Sequence, residues 1–232
     1  MNSNEKCQAC VEMLKQVLTS ASSRPRTLLE AMGSSCDFSS VKNGVVVSME
    51  RETTPSAAAV AATITPSISM TTTLTQQPLA ASSAIRTQSL KIECRPCGTT
   101  GPEGGARAFV MGPSPLSIVL CSNRLGLHSP EEMEQVLVHE LIHIYDVIQL
   151  KLDLRTCVNL AYSEIRAARD AECHDSWFPQ SCIQKKAMTA TLNLFPQQGG
   201  SCISQVYNEA MADRRPFFAT MTTTTDSRPS ER

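Results

Sequence analysis

The sequence predicts an α+β domain in which a small antiparallel or mixed sheet packs against a long buried helix, with a disulfide-rich framework. Three observations lead to this prediction. Residues 136–145 are apolar at nearly every other position, as in a helix that is buried on most of its surface. Apolar runs at 109–110 and 115–121 precede that helix and are typical of strands. The chain also contains ten cysteines, spread over its whole length.

Length and composition exclude several classes of protein. A chain of 232 residues has room for one domain with a substantial core. Its net charge of −1 gives no electrostatic basis for binding nucleic acid. The sequence contains no run of about 18 apolar residues, so no segment of it is predicted to span a bilayer. The first seven residues resemble neither a secretory signal nor an arginine-rich presequence.

The long helix carries a motif with specific chemistry. His139 and His143 are four residues apart, so both imidazoles project from one face of the helix and can bind one ion. Glu140 sets its carboxylate beside that ion. Two neutral imidazoles on zinc, with a carboxylate that takes a proton from water, are the arrangement of a zinc peptidase. The motif therefore predicts one catalytic Zn²⁺ with Glu140 as the general base.

The start of this helix is marked by its own local signals. Ser129 is the predicted N-cap, Pro130 the first helical residue, and Glu132 stands at the third helical position. This arrangement predicts a capping box. The helix is expected to run to about Leu150.

A third zinc ligand is expected from the segment that follows. Wound as a helix, residues 157–173 place Glu164 in the middle of an otherwise small, apolar face. A carboxylate there needs a partner, and zinc is the predicted one. Asp146, seven residues after His139 on the same helix face, and His174 are the alternative ligands.

Three other side chains are candidates for supporting roles. Asp146 is predicted to hold an imidazole tautomer by a hydrogen bond if it is not itself a ligand. Arg166 could bind the tetrahedral oxyanion or form a structural salt bridge. Tyr145 could donate to the same oxyanion or belong to the core.

Two further segments have predicted roles. In zinc peptidases with such a helix, the edge strand ahead of it commonly aligns an extended substrate by backbone hydrogen bonds. The candidates for that role are Ile118, Val119 and Leu120. Trp177 and Phe178, close to Cys182, are predicted to form a structural cluster.

The cysteines predict disulfides and an oxidising compartment. The alternative is a cysteine-based zinc or redox site built from Cys7/Cys10 and Cys94/Cys97, in which the histidine motif is merely helical. Those pairs are separated by over eighty residues, far more than in a usual zinc ribbon. An oxidising compartment without a secretory signal indicates the mitochondrial intermembrane space.

The chain is predicted to have four parts. Residues 1–52 form an N-terminal helical region and residues 90–218 the zinc metallopeptidase domain. Residues 53–89 are rich in Ser, Thr, Ala, Pro and Gln with almost no charge, and they cannot bury enough apolar surface to offset ordering. A flexible insertion is therefore expected there, and a disordered tail at 219–232.

These motifs together resemble the mitochondrial inner-membrane zinc metalloprotease family that processes an ATP synthase subunit, whose vertebrate members are also called Ku-binding proteins. The matching residues are Ile118-Val-Leu-Cys121-Ser-Asn123, His139-Glu-Leu-Ile-His143 with Asp146, Ser163-Glu164-Ile-Arg166-Ala167 with Cys173, and Asp213-x-x-Pro216-Phe217. Cys7, Cys36, Cys94 and Cys97 match as well. The resemblance covers nearly all of the chain except residues 53–89 and the tail.

The motif and the resemblance lead us to expect a zincin-like metalloendopeptidase. The resemblance implies peripheral attachment to the inner membrane on its intermembrane-space side. It also implies maturation of an ATP synthase subunit from its precursor, and a protease-independent part in assembling the membrane sector of that enzyme. The alternative is an assembly chaperone whose zinc site is not catalytic.

Two positions depart from the pattern of that family. Cysteines usually stand where this chain has Tyr162 and Ala210. Both are missing together, as expected if they form one disulfide that this lineage has lost. This hypothesis requires that the two side chains lie close together.

Overall fold

The computed structural model describes residues 2–20, 22–52, 85–100, 104–112, 115–127 and 129–217. These residues form six helices and one five-stranded mixed sheet, so the predicted α+β architecture is confirmed. The predicted tail at 219–232 and residues 53–84 of the predicted insertion lie outside the described residues. Among the helices in these ranges, none has both the length and the apolar character needed to cross a membrane.

Two helices and five strands precede four further helices. The helices are α1 Ser3–Thr19, α2 Arg24–Ala31, α3 Pro130–Ile148, α4 Cys157–Asp170, α5 Pro179–Leu194 and α6 Gly199–Ala212. The strands are β1 Ser34–Val41, β2 Gly44–Glu52, β3 Ile85–Arg95, β4 Ala108–Met111 and β5 Leu116–Cys121. The long helix predicted from Pro130 is therefore present as α3.

The sheet has the strand order β1-β2-β3-β5-β4. Neighbouring strands are antiparallel except β3 and β5, which run parallel. β2 and β3 pair from Gly44 opposite Glu93 to Glu52 opposite Ile85. Residues 85–89 therefore belong to the sheet and not to the predicted insertion. β1 and β2, from the N-terminal region, belong to the same sheet as β5 and β4. The sheet therefore extends across the predicted boundary between residues 1–52 and 90–218.

The prediction that Ile118, Val119 and Leu120 align a substrate is wrong. They lie in β5, which pairs with β3 on one side and with β4 on the other. Both backbone edges of β5 are thus used within the sheet, and every residue of the strand is buried. Within the described residues, the strand at this edge of the sheet is β4.

Two large apolar clusters form most of the core, and a third cluster of three residues lies beside β5. The larger joins α1, α2, the sheet and α3, and it includes the fully buried Leu14, Ile92 and Leu137. The smaller joins α4, α5 and α6 around Ile165 and Ile183. α3 contacts α1, α2, β4 and α4. Because it is held from several sides, its polar side chains occupy fixed positions.

The predicted capping box at the start of α3 does not form. Ser129 is the N-cap residue, but its side chain makes no capping hydrogen bond. Glu132 instead accepts a hydrogen bond from the Gly126 amide at 2.9 Å and lies 3.5 Å from Arg107. These contacts with the preceding loop and with Arg107 use the carboxylate that the local box would need.

The predicted disulfide framework is confirmed. The bonded pairs are Cys10–Cys94, Cys97–Cys121, Cys157–Cys202 and Cys173–Cys182. The alternative zinc site at Cys7/Cys10 and Cys94/Cys97 is wrong, because three of those four sulfurs are in disulfides. Cys7 is a buried free thiol that donates to the Cys94 carbonyl at 2.8 Å.

The two positions that depart from the family pattern lie on α4 and α6, which a disulfide of this chain also connects. Tyr162 on α4 and Ala210 on α6 belong to the same apolar cluster. The Cys157–Cys202 disulfide joins the same two helices. The lost disulfide stays a hypothesis, but a bond in this chain already links the two elements that it would have joined.

The prediction of a structural cluster at Trp177 and Phe178 is wrong. Trp177 is 94 % exposed and Phe178 is 78 % exposed. The nearby apolar cluster of α4, α5 and α6 includes Cys173, Ile183 and Ala187 but neither aromatic residue. The two aromatic side chains therefore project outward from the connection between α4 and α5.

Candidate metal centre

α3 presents His139, Glu140 and His143 to an open cleft. The two imidazole rings lie edge to face with their centroids 4.8 Å apart. The Nε2 atoms of His139 and His143 lie 3.5 and 3.6 Å from the two carboxylate oxygens of Glu164. Glu164 lies on α4, so the contact between α3 and α4 brings the motif and this carboxylate together.

The spacing of these side chains suits a single metal ion. One nitrogen or oxygen atom from each of His139, His143 and Glu164 lies within 4.8 Å of the others. Zinc ligands in a tetrahedral arrangement, with bonds of about 2.0–2.1 Å, stand about 3.3 Å apart. Glu164 Oε2 is buried and has no hydrogen-bond partner in the described part of the chain. A cation between the three side chains would satisfy that oxygen.

Both histidines have a partner for their other ring nitrogen. Glu172 Oε2 lies 3.1 Å from His139 Nδ1, and Ser163 Oγ lies 2.7 Å from His143 Nδ1. When each Nδ1 donates to its oxygen, the lone pair of each Nε2 is directed toward Glu164. This tautomer is the one that a metal ion requires.

The sequence patterns described above assign no role to Glu172 or to Ser163. Glu172 lies just beyond the end of α4, eight residues after Glu164. Because α4 ends at Asp170, its helical periodicity does not extend to Glu172, and no local pattern identifies that residue. For Ser163, the signal is its position beside Glu164 in the segment that carries the family resemblance.

Glu140 has the electrostatic properties of a general base. Its carboxylate is almost entirely buried. Burial and the nearby charges of Glu164 and Glu172 raise the pKa of Glu140 to about 7, although His139 acts in the opposite direction. A carboxyl group with a pKa near neutrality can accept a proton and return it at physiological pH.

The two histidines have different pKa values. Burial lowers the pKa of His143 to about 4, so its ring is neutral at physiological pH. Burial acts on His139 in the same direction, but Glu164 and Glu172 raise the pKa of His139 well above its ordinary value. A metal cation would displace the proton from His139, because metal ligation requires the neutral imidazole.

Arg107 joins this cluster to the edge of the sheet. The residue immediately precedes β4. Its guanidinium nitrogens lie 3.4 Å from Glu172 Oε1 and 3.5 Å from Glu132 Oε1. Arg107 thus supports Glu172, which in turn contacts His139.

Asp146 is neither beside the candidate ligands nor the partner of an imidazole. Its carboxylate forms a fully buried ion pair with Arg166. Both Nδ1 atoms have other partners, so the predicted tautomer-holding role of Asp146 is wrong. Asp146 faces α4 at the level of Arg166, one turn away from the histidines.

Arg166 and Tyr145 have structural roles. The Arg166 guanidinium also donates to the Arg215 carbonyl oxygen, and its side chain is inaccessible to solvent. Tyr145 belongs to the larger core cluster, with the Arg166 guanidinium 5.8 Å from its ring centre. The structure thus agrees with the structural salt bridge given as the alternative for Arg166 and with the core position given as the alternative for Tyr145. His174 is exposed and lies outside the His-His-Glu group, so it is not a third ligand.

The cluster opens into a cleft of about 1280 Å³. One wall consists of residues 104–110, which include most of β4. The opposite wall consists of α3, the connection from α3 to α4, and the end of α5. A cleft with an accessible strand edge on one wall can accommodate an extended polypeptide.

The fold and the site define a class of protein, an α+β domain with a candidate His-His-Glu metal site in which the HExxH helix supplies both histidines. The family model described as the Peptidase M76 family matches residues 56–218. The chain therefore belongs to the Peptidase M76 family. The match begins inside the predicted insertion at 53–89, a segment that the resemblance described above leaves out.

Individual relatives are similar over part of their length. The chain is 31 % identical over 147 residues to the mitochondrial inner membrane protease ATP23 of Meyerozyma guilliermondii, an alignment covering 56 % of this chain and 57 % of the relative. It is 29 % identical over 118 residues to the protein of that name from Candida albicans, covering 43 % and 48 %. For the human homolog, the identity is 29 % over 116 residues, covering 43 % and 46 %. The chain spans about half the length of these curated relatives. No solved structure matches it.

Proposed function

We propose that the protein is a zinc-dependent metalloendopeptidase with a zincin-like arrangement of helix and edge strand. The observation that carries the proposal is the convergence of His139, His143 and Glu164 on one point beside Glu140. Membership of a peptidase family supports the same reaction. In this proposal the third ligand is Glu164, because the alternative, Asp146, is paired with Arg166.

The residues of the chain divide the work of hydrolysis. His139, His143 and Glu164 would hold the zinc ion, which supplies a Lewis acid that polarises the scissile carbonyl and acidifies water. Glu140 takes a proton from the attacking water and delivers it to the nitrogen of the leaving amine. Glu172 and Ser163 keep the two imidazoles in the tautomer and orientation that leave Nε2 free.

β4 is the proposed docking strand for the substrate. Its pairing with β5 occupies one backbone edge, and residues 108–110 line the cleft beside the histidines. An extended segment of substrate could add to the other edge through backbone hydrogen bonds, which would depend little on its sequence. This role replaces the one predicted for Ile118, Val119 and Leu120.

The names of the relatives support a location at the mitochondrial inner membrane. We infer peripheral association on the intermembrane-space side, where an oxidising environment would allow the four disulfides to form. The proposed substrate is the precursor of an ATP synthase subunit, and assistance in assembling the membrane sector is a second proposed role. Both follow from the family resemblance.

Zinc content and peptide hydrolysis test the proposal together. The oxidised full chain should contain about one zinc per molecule and should cleave peptides of a denatured-protein library, with products read by mass spectrometry. His139→Ala should remove the zinc, whereas His174→Ala, at an exposed histidine outside the cluster, should retain it. Zinc that survives His139→Ala would contradict the proposed site.

Glu140→Gln separates catalysis from metal binding. This variant should keep its zinc and lose hydrolysis, because the amide cannot accept the proton. If the variant cleaves as fast as the unmodified chain, the proposed mechanism is wrong. If neither protein cleaves while both support assembly of ATP synthase, the chaperone alternative is correct.

A further inference from the structure

The loop between α4 and α5 carries the two most exposed large apolar side chains of the described residues. They are Trp177, at 94 %, and Phe178, at 78 %. Trp177 is also the only tryptophan in the sequence. Exposed apolar residues that occur singly are normal, but two adjacent aromatic rings on one loop indicate a binding surface.

The loop is ordered although its aromatic side chains are exposed. The Cys173–Cys182 disulfide closes it across a sequence separation of 9. Phe178 is the N-cap residue of α5, and Pro179 begins the helix. The Phe178 amide donates to Ser176 Oγ at 3.3 Å. Because the backbone is already held, burying these rings against another surface costs little conformational entropy.

The size of the patch favours a membrane over a folded protein partner. A standard protein interface buries roughly 800 Å² on each side, whereas two aromatic side chains supply about 300–500 Å². The neighbouring Asp175, Gln180 and Ser181 are polar and exposed, so they do not extend the apolar area. A narrow aromatic tip can enter the headgroup region of a bilayer, where tryptophan is enriched.

Charges on α5 suit an anionic lipid surface. Lys185 and Lys186 are exposed about two turns beyond Phe178. Each basic side chain near an anionic bilayer adds to its attraction. On the loop itself, the negative charge of Asp175 opposes this attraction. The imidazole of His174 lies 3.8 Å from the Asp175 carboxylate.

We propose that Trp177 and Phe178 insert into the headgroup region of an anionic membrane and hold the protein on its surface. This inference rests on the inner-membrane location in the proposed function. Glu172, which contacts His139, stands at the start of the same connection between α4 and α5. Insertion would therefore keep the cleft close to the bilayer, and the matching substrate is a membrane-inserted protein with an extended segment that emerges near the lipid surface.

The single tryptophan allows a direct test. The oxidised full chain is mixed with phosphatidylcholine vesicles that contain cardiolipin, and with vesicles of phosphatidylcholine alone. We expect the tryptophan emission to shift to shorter wavelength, more strongly with cardiolipin, and to become protected from acrylamide. Co-sedimentation with vesicles should fall at least about tenfold in Trp177→Ser and in Phe178→Ser. Val41→Ser, at the end of β1 and 39 % exposed, is the matched control and should sediment like the unmodified chain.

Three results would overturn the inference. The first is an unchanged emission spectrum without sedimentation. The second is vesicle binding that survives both aromatic substitutions, since another surface would then bind the lipid. The third is a protein partner whose capture requires Trp177 although vesicles have no effect. Zinc content and cleavage of soluble peptides, measured on the same variants, are independent of vesicle binding, so failure of the peptidase proposal would be seen separately.

Discussion

Glu172 Oε2 lies 3.1 Å from His139 Nδ1, although Glu172 stands beyond the end of α4 and His139 lies in the middle of α3. This contact fixes the ring orientation of a candidate zinc ligand. Glu172→Gln should lower zinc affinity by roughly 10–100-fold, measured by competition with a chromogenic chelator. Glu209→Gln, an exposed glutamate on α6, is the control and should bind zinc like the unmodified chain. Equal affinity in both variants would show that Glu172 does not support the site.

The assignment of the third ligand can be tested by comparing two carboxylates. Glu164→Gln should reduce bound zinc to well below one ion per chain, because Glu164 stands beside both Nε2 atoms. Asp146→Asn should retain zinc in the fraction of molecules that is folded. Zinc analysis of the folded protein after gel filtration distinguishes the two. The reverse pattern would make Asp146 the ligand.

The buried pair of Asp146 and Arg166 should matter for stability. Asp146→Asn removes the buried carboxylate nearer to the charged Arg166 guanidinium and leaves it only Asp213, 3.8 Å from Nε. We expect a loss of roughly 3–5 kcal/mol in the free energy of unfolding, measured by urea denaturation of the oxidised protein. Asp153→Asn breaks an exposed contact with Arg155 and should leave the unfolding midpoint unchanged. Similar midpoints for both variants would contradict this prediction.

Asp213 should make the free energy of unfolding decrease at acidic pH. Burial alone would raise the pKa of Asp213, but hydrogen bonds from Arg215 and Tyr162 hold it well below its ordinary value. A lowered pKa in the folded state means that ionised Asp213 stabilises the fold above its unfolded pKa of about 3.9. That contribution is lost as the pH falls below this value.

Denaturation at a series of pH values tests the role of Asp213. Asp213→Asn should be less stable than the unmodified chain at neutral pH, and the difference should shrink in acid. Asp175→Asn, at a side chain 86 % exposed, serves as the control. A difference that stays constant from neutral pH into acid would exclude this titration.

The Cys157–Cys202 disulfide should supply much of the connection between α4 and α6. Replacing both cysteines by serine should cost about 2–4 kcal/mol of unfolding free energy, measured under oxidising conditions. In that background, Tyr162→Cys together with Ala210→Cys tests the lost-disulfide hypothesis. Peptide mapping should find the two new cysteines bonded to each other. Free thiols at both positions would reject the hypothesis.

The parts of the fold that depend on local patterns were predictable from the sequence. The apolar periodicity of α3 predicts its bounds to within about two residues, and the spacing of His139 and His143 predicts that their Nε2 atoms share one side. Glu164 was identifiable because a carboxylate in a small apolar face needs a partner. These arguments need only neighbours within a few turns of one helix.

The parts that depend on distant contacts were not predictable. Strand order is set by pairing between remote segments, so the sequence did not reveal that β4, and not β5, is the edge strand. The local capping signal at Ser129 gives way to contacts of Glu132 with Gly126 and Arg107. Trp177 and Phe178 are residue types typical of a core, yet both are exposed on the loop that the Cys173–Cys182 disulfide closes.

The pairing of Glu52 with Ile85 bears on how far the connection between β2 and β3 can change in length. Neighbouring antiparallel strands whose last paired residues face each other need only a two-residue turn to stay connected. The register of β2 and β3 therefore makes no demand on how many residues stand between them. Evolution could lengthen or shorten this connection without moving α3, and a laboratory variant with a short hairpin turn in place of residues 53–84 should retain the proposed zinc binding.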